Sequence, residues 1–565
     1  MKRLPFITAL CATATAGMAA TTMVWTPAGQ NYYWSNNLNW LPALVPSTLA
    51  WDDNAQITDG WGPTACIVNS VARYFTLEIA PNAGDEAQLY LTSGGDMENV
   101  DDTTYIGRRG YGALNQSGGL FKHARTLSLG DEVGSKGTYQ ISGGIHTCSD
   151  WPVWIGNAGE GEVNISGGEF ITSNDRLSIL GNLPGSHGVV NVNGGEFKAN
   201  RIGHLRVGNE GVGEVNIFNG LVEFSGNFYI GYDNPFETSS VRLQGGSLEV
   251  GWEMYVGYNG KGAFIAETNA TVRSLHIATN PGSQGYVEVG NNGVVKINWE
   301  DPKQVRLGQA GHGEMLLKGG RIVGDGGNST FSIRDDAAAY GVLQGWGEIA
   351  EFRGSLSNNG LVIADGFGVE RELTFTGLED HHTSYDILHT IPNTSTNGWY
   401  ARNGGKLTLA RVRTAQSAIP VGYTWGDAAA TNHLDLVNSM RVTFDSITGN
   451  SCKMTASLLA PDRTDFPPLP PTRTAVGIWH VRLSNSEAQA PIDFEARYDH
   501  VAAKNTPPVL YYYNPLTLEW VRLETTDLGN FRVKATGLPL FTENGQPEIL
   551  IAAVRLPPAN VFFMR

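Results

Sequence analysis

Little in this chain matches what most enzymes and disulfide-stapled proteins are built from. Four cysteines in 565 residues are too few and too scattered for a disulfide framework. Cys11 lies near the N-terminus, and Cys66, Cys148 and Cys452 are an odd number far apart, read as unpaired or partly buried thiols. Charge is sparse, at 17% of residues, and lopsided, with 55 acids against 39 lysines and arginines. The net charge of −16 argues against nucleic acid and anionic membrane surfaces as partners. No stretch past the N-terminal segment approaches the ~18 apolar residues of a membrane span. There is no Gly-x-Ser-x-Gly, His-Glu-x-x-His, Cys-x-x-Cys or phosphate-loop motif. No catalytic residue, metal ligand or cofactor is assigned.

What the chain does have is glycine, 70 residues of it, in a pattern that returns nine times between Thr104 and Asp325. The clearest copy runs from Val153 to Phe170: apolar-x-apolar-Gly, a glycine-rich turn, an alternating stretch, Gly-Gly and a third short stretch. The anchors are Gly107, Gly130, Gly156, Gly181, Gly208, Gly231, Gly257, Ala278 and Gly308, separated by 23, 26, 25, 27, 23, 26, 21 and 30 residues. A period near 25 made of short strands and glycine turns is the signature of a solenoid.

The columns show which faces are buried. One and three residues before most anchors lie apolar pairs such as Leu127/Leu129, Val153/Ile155, Leu205/Val207, Phe228/Ile230 and Val305/Leu307. Between the members of the pairs stand Ser128, Trp154, Arg206, Tyr229, Tyr255, His276 and Arg306, an outward row by period-two alternation. Before Gly181 the pair is Leu177/Ile179, one residue out of step, which predicts a bulge. A third inward column holds Phe121, Phe170, Phe197, Leu248 and Ile322, with His146 interrupting it as a semi-buried or shifted residue. Three strands per coil predict three parallel sheets, right-handed by the crossover rule, and nine coils a rod on the order of 43 Å long. The first turn alternates between Gly-x-x-Gly-x-Gly and a longer form, which suggests duplication of a coil pair; Tyr232 to Ser240 fits neither form.

The flanks read differently. Residues 1–19 look like a signal peptide, with Lys2, Arg3, a weakly apolar core and small residues before Ala20. Its removal takes the net charge from −16 to −18. Residues 20–104 are a Trp-rich N-terminal cap with the first coils, whose tryptophans either plug the core or form a sugar platform. Residues 105–325 are the regular coils, and 326–460 irregular coils and a cap. Residues 461–474 are a Pro-rich linker, and 475–565 a small β-sandwich. The expected fold is all-β: a right-handed parallel β-helix followed by that sandwich.

The stretch Trp34-Ser35-Asn36-Asn37-Leu38-Asn39-Trp40, then Val45-Pro46 and Asp53-Asn54-Ala55-Gln56-Ile57, resembles the entry of exported bacterial β-helix proteins. These carry Trp…Asn-Trp…Pro…Asp-x-Ala-x-Ile ahead of glycine-rich coils. The coils are similar to those of autotransporter passenger-like surface proteins, without a translocator barrel or a Pro-Glu-Pro sorting tail. The resemblance covers about 24–325 and implies fold and export to the extracellular space or bacterial cell surface.

The coils are where chemistry would lie, because parallel β-helices also carry pectin-type lyases and hydrolases. Gly311-His312-Gly313 sits in a standard repeat turn, so His312 reads as solvated. Asp52-Asp53, Asp101-Asp102 and Asp335-Asp336 lie outside the central coils. Glu162, Glu214 and Glu314 share one repeat position, but the nearest pair is two coils, ~10 Å, apart, too far for a retaining carboxylate pair. Arg108-Arg109 reads as a solvated turn, and Glu379-Asp380-His381-His382 as a polar loop. The segment Tyr232 to Thr238 breaks the repeat with aromatics and acids; with Tyr229 and Tyr255 outward on adjacent coils, Tyr229, Phe236 and Tyr255 form the candidate sugar-binding surface, or a divergent loop. The expected function is an exported, non-enzymatic structural or adhesive surface or matrix protein. Its expected partner is an extracellular polysaccharide or another surface protein. The alternatives are a polysaccharide-binding or polysaccharide-degrading β-helix, and a passive stalk presenting 475–565 as the binding module.

Overall fold

The structure, a computed structural model, describes residues 21–556 apart from 30, 47–52, 149–150, 173–176, 200–201, 299–302, 326–328, 337–338, 353–354, 380–395, 413–422, 426–435, 449–452, 485–486 and 544–545. Strands dominate and form a solenoid of about 12 coils. Three parallel sheets run along it. Each strand hydrogen bonds to its counterpart in the next coil: Leu127–Leu129 to Val153–Ile155 in the first sheet, Lys136–Ile141 to Glu160–Ile165 in the second, Ile145–Cys148 to Glu169–Thr172 in the third. A single coil would expose its inner face; stacking encloses it, and the inward residues of all three sheets are buried in one continuous core. At ~4.8 Å per coil the solenoid is about 58 Å long.

The anchors sit where the expectation put them. Gly107, Gly130, Gly156, Gly181, Gly208, Gly231, Gly257 and Gly308 all have φ between 60° and 77°, and Ala278 has φ 56°. Glycine is needed for space as well as for φ: a Cβ on Gly107 would lie 1.9 Å from the Lys136 carbonyl oxygen of the next coil. Ala80 shares φ 56° and follows the strand Thr76–Ile79, so it is a further anchor upstream of the nine.

Turn alternation holds along the whole edge. Between anchor and next strand there are five residues after Ala80, Gly130, Gly181 and Ala278, six after Gly231, and three after Gly107, Gly156, Gly208, Gly257 and Gly308. The irregular Tyr232 segment is therefore a long turn in its proper place. Long turns close on themselves, with Ser135, Ser186 and Ser283 hydroxyls donating to the carbonyls of Glu132, Leu183 and Asn280. Short turns nest against them so closely that a Cβ on Gly159 would meet the Ser135 carbonyl at 2.4 Å.

The bulge expected at Gly181 is absent. Leu177–Leu180 continues in unbroken register with His204–Val207, and Ile179 takes the outward row between Trp154 and Arg206. Ser178 and Leu180 point inward instead. A serine is small enough to enter the core, so the register is kept and an isoleucine is placed outside.

At the N-terminal end Trp25, Trp34 and Trp40 are buried edge-to-face, with centroids 5.2 and 4.7 Å apart. They plug the core; Trp61 lies outside it against Tyr111, and Trp51 is outside the described residues. Past Gly308 the three sheets continue through Thr330–Ile333, Ala339–Ala350, Leu361–Asp365 and Arg371–Glu379, without the glycine pattern.

The chain then changes direction. Gly405–Val412, parallel to Arg371–Glu379 on one edge, pairs antiparallel with Lys453–Leu459 on the other, which pairs with Thr474–Ser484. A second antiparallel sheet contains Tyr423–Trp425, Met440–Thr448, Glu487–Arg497, Arg532–Leu538 and Thr526–Gly529. Strands on both sides of 461–474 share these sheets, so the antiparallel region begins before the expected boundary at 475. Nor does the proline segment hang free: the Trp520 indole N–H donates to the Pro467 and Pro468 carbonyls, and Phe466 and Leu469 pack on a small buried cluster. Tertiary pairing, which proline composition does not reveal, sets this boundary.

Candidate functional site

Most of the polar residues singled out in the sequence are tied up in pairs. Glu162 and Glu214 flank Val189 in register, one coil on either side, and Glu314 sits beside Tyr286. No carboxylate pair forms from them. His312 is exposed at the first position of the strand His312–Val323 rather than in the turn, hydrogen bonded to Glu314 at 2.8 Å and stacked on Tyr340. Arg108 pairs with Glu78, and Arg109 with Glu132 at 2.8 Å. Asp101 pairs with Arg125 and Asp102 accepts from the Thr76 hydroxyl. The side chains of Asp335 and Asp336, the loop 380–382 and Cys452 lie outside the described residues. Cys66 and Cys148 are buried, and the Cys148 thiol donates to the Trp151 carbonyl.

His146 is not shifted. It stands in register between Phe121 and Phe170, fully buried, stacked on Phe170 at 4.3 Å, with neither ring nitrogen hydrogen bonded. Burial, and then the neighbouring His123, hold its pKa well below that of a free histidine. Burial likewise lowers His123 to about 3. Both are neutral core aromatics.

The outward rows satisfy themselves along the rod axis. The amides of Asn157, Asn182 and Asn209 form a ladder that starts at Asp131, with steps of 3.0, 2.8 and 3.2 Å. Asn164, Asn191 and Asn216 form another on the second sheet, and Asp233, Asn259 and Asn280 a third. Each asparagine within a ladder donates to one neighbour and accepts from the next, which an amide with both groups is suited to do, while Asp131 and Asp233 only accept at the ends.

Where the first ladder ends, aromatics take over. Tyr229 stacks on Tyr255 with centroids 4.9 Å apart and planes 6° from parallel, and Tyr232 stacks on Tyr258 at 5.0 Å and 10°. The two stacks meet edge to face. Tyr255 also stacks on His276, and the Arg206 guanidinium covers Tyr232 at 3.4 Å. Of the three candidates, the structure brings Tyr229 and Tyr255 together and leaves Phe236 apart. Phe236 is 85% exposed at the tip of its long turn and has no ring partner among the described residues. Tyr258 was missed, although the position after each anchor, read down as Asn157, Asn182, Asn209, Tyr232 and Tyr258, is a column in its own right.

The stacking changes what these tyrosines offer. A sugar platform needs an open ring face, and here Tyr255 is stacked between Tyr229 and His276, Tyr232 between Tyr258 and Arg206, and Tyr229 gives one face to Tyr255 and meets Tyr232 and Tyr258 edge to face. Edges and hydroxyls remain. Burial raises the pKa of Tyr229 and of Tyr255, so both hydroxyls stay protonated. His276, hydrogen bonded to Gln309 at 3.0 Å, is lowered to about 4, first by burial, and is neutral above that pH.

Compared with known proteins, the chain matches no family model, no curated protein and no solved structure. The fold is a β-solenoid on its own geometry. Among the described residues no helix is long and apolar enough to cross a membrane.

Proposed function

We propose that the chain is an exported, non-enzymatic rod, a structural or adhesive element of a surface or extracellular matrix. The observation that carries this reading is the self-satisfaction of the outward rows. Asparagine ladders, tyrosine stacks and cross-coil ion pairs such as Arg73–Glu98 and Arg321–Glu348 use their polar groups on one another. Hydrolysis or elimination on a sugar chain instead needs acid and base groups converging on a bound substrate. Export is supported by the signal-like residues 1–19 and by the resemblance of 24–325 to passenger-like surface proteins.

The test is a depolymerisation and glycan-array screen of the protein, with and without calcium. The expected result is no shortened product from any polysaccharide. Product formation would overturn the reading and send the search to the outward acids of the coils.

Polysaccharide binding without turnover is the second reading, favoured by the polar, aromatic patch at Tyr229 and Tyr255. Binding that survives the combined Tyr229→Ala, Phe236→Ala and Tyr255→Ala variant would remove that patch from consideration.

A further inference from the structure

One outward row of the first sheet differs in charge from the rest of the rod. Arg206, Tyr229, Tyr255, His276 and Arg306 follow one another in register on five successive coils. Four coil spacings make the row about 19 Å long. Both ends are cationic. At one, Arg206 lies over Tyr232 and donates to Asn209 at 2.9 Å. At the other, Arg334 follows Ile333, the register partner of Leu307, and its amide donates to the Leu307 carbonyl, so it stands one coil beyond Arg306; burial and then the Arg334 charge lower the pKa of Arg306.

None of these three arginines has a carboxylate partner among the described residues. Elsewhere on the coils arginines do find one: Arg73 has Glu98, Arg109 has Glu132, Arg321 has Glu348. In a chain with 55 acids and 39 bases, carboxylates outnumber guanidiniums, yet among the described residues none is placed against these three. Like charges on neighbouring coils, one of them half-buried, are relieved by a bound anion, which a guanidinium grips through directional, charge-assisted hydrogen bonds.

Between the ends the row offers hydrogen bonds. The tyrosine hydroxyls are neutral, Tyr255 is stacked on both sides and Tyr229 on one, and Glu253 beside Tyr255 is an acid facing the middle. Taken faces argue against a ligand that binds by stacking, such as single-stranded nucleic acid. The middle acid and the overall negative charge argue against a densely charged polymer. Cationic ends about 19 Å apart call for an extended ligand with spaced charges and many hydroxyls.

We infer that this row binds a linear anionic polysaccharide along the rod axis, acid groups on Arg206 and on Arg306 with Arg334, sugar hydroxyls on Tyr229 and Tyr255. The inference rests on the adhesive form of the proposed function and names its ligand class.

The test is affinity electrophoresis of the full chain in gels containing polygalacturonate, its methyl-esterified uncharged form, or single-stranded DNA. Retardation is expected with polygalacturonate alone. It should weaken about tenfold for each of Arg306→Ala and Arg334→Ala and stay unchanged for Arg482→Ala, which lies on Glu548 in the antiparallel region. Because His276 is neutral above about 4, retardation should be level from pH 6 to 8. Arg306→Lys with Arg334→Lys keeps the charge and should bind measurably; it serves if the alanine variants fail to melt like the parent. Equal retardation by the ester would overturn the role of charge, and equal retardation by DNA would mark a generic anion patch and overturn the sugar assignment. No retardation by polygalacturonate, or arginine variants like the parent, would overturn the inference while the non-enzymatic rod stands; only cleavage of a polymer would bring that down.

Discussion

The regular coils of 105–325 and the antiparallel region after Gly405 are both β-structure with buried apolar cores, yet they are held by different means. In the coils, no sequence-adjacent strands pair among the described residues: each strand meets its copy about 25 residues on, and outward side chains meet their own kind in ladders. In the antiparallel region each strand meets a different sequence, and the polar contacts are individual ones, such as Arg482–Glu548 or Lys534–Asp493. Repetition thus makes the coils intolerant of local change, because one altered residue is clamped between two copies of its own environment. Single pairings leave the second region free to vary.

Acid should expose that contrast most strongly. His123 and His146 are held neutral in the core, with folded-state pKa values below that of the unfolded chain. The unfolded state then binds more protons, so stability is complete above about pH 6.5 and falls as pH drops from there toward 3. For His123 the shift from 6.5 to about 3 corresponds to at most about 5 kcal/mol. Denaturant midpoints at pH 7 and pH 4 should differ, and His146→Phe, which completes the phenylalanine column, should narrow the difference.

Gly107→Val is expected to cost about 4 kcal/mol, since both φ and the Lys136 carbonyl oppose it. Gly529→Val, also at positive φ but with open space around it, should cost about 1–2 kcal/mol. Similar costs in calorimetry would break the comparison. Ala80 and Ala278 show that a methyl group is accommodated where the coil is built for it.

At the junction, buried Asp365 accepts from the Phe367 amide, Asn403, Arg402 and Gln344. Burial alone would raise its pKa, but these donors hold it low, so its contribution is present above about pH 4 and lost as pH falls through the folded value. Asp365→Asn should cost about 3 kcal/mol and loosen the last coils in hydrogen exchange before the first. Smallest of all, Asn182→Ala should cost about 1 kcal/mol by interrupting one ladder, measured by thermal melting against Asn157→Ala at the next rung.

The coils were legible because their signal is redundant: nine anchors, two inward positions before most of them, and a turn alternation that extends back to Ala80. Single residues were less legible. Ile179 suggested a bulge, because an apolar residue in the wrong phase looks like a slipped register when the serine beside it is in fact inside. Phe236 was grouped with Tyr229 and Tyr255 because its segment breaks the repeat between their coils, yet a long turn carries it outward. The Arg306–Arg334 pair was out of reach, because Arg334 stands where the glycine pattern has faded and its neighbour is a coil away.

What the sequence by itself determined is the repeat: period, alternation and glycine corners are local constraints, written once per coil and needing no knowledge of the partner strand. What only the tertiary structure decided is which copies of a row become neighbours and whether their groups are spent on each other or left to solvent. Stacking along the axis closed tyrosine faces on one another and paired charges such as Arg73 with Glu98, and among the described residues left Arg206, Arg306 and Arg334 without carboxylates. Such pairings depend on distances between coils, and chain spacing alone does not carry them.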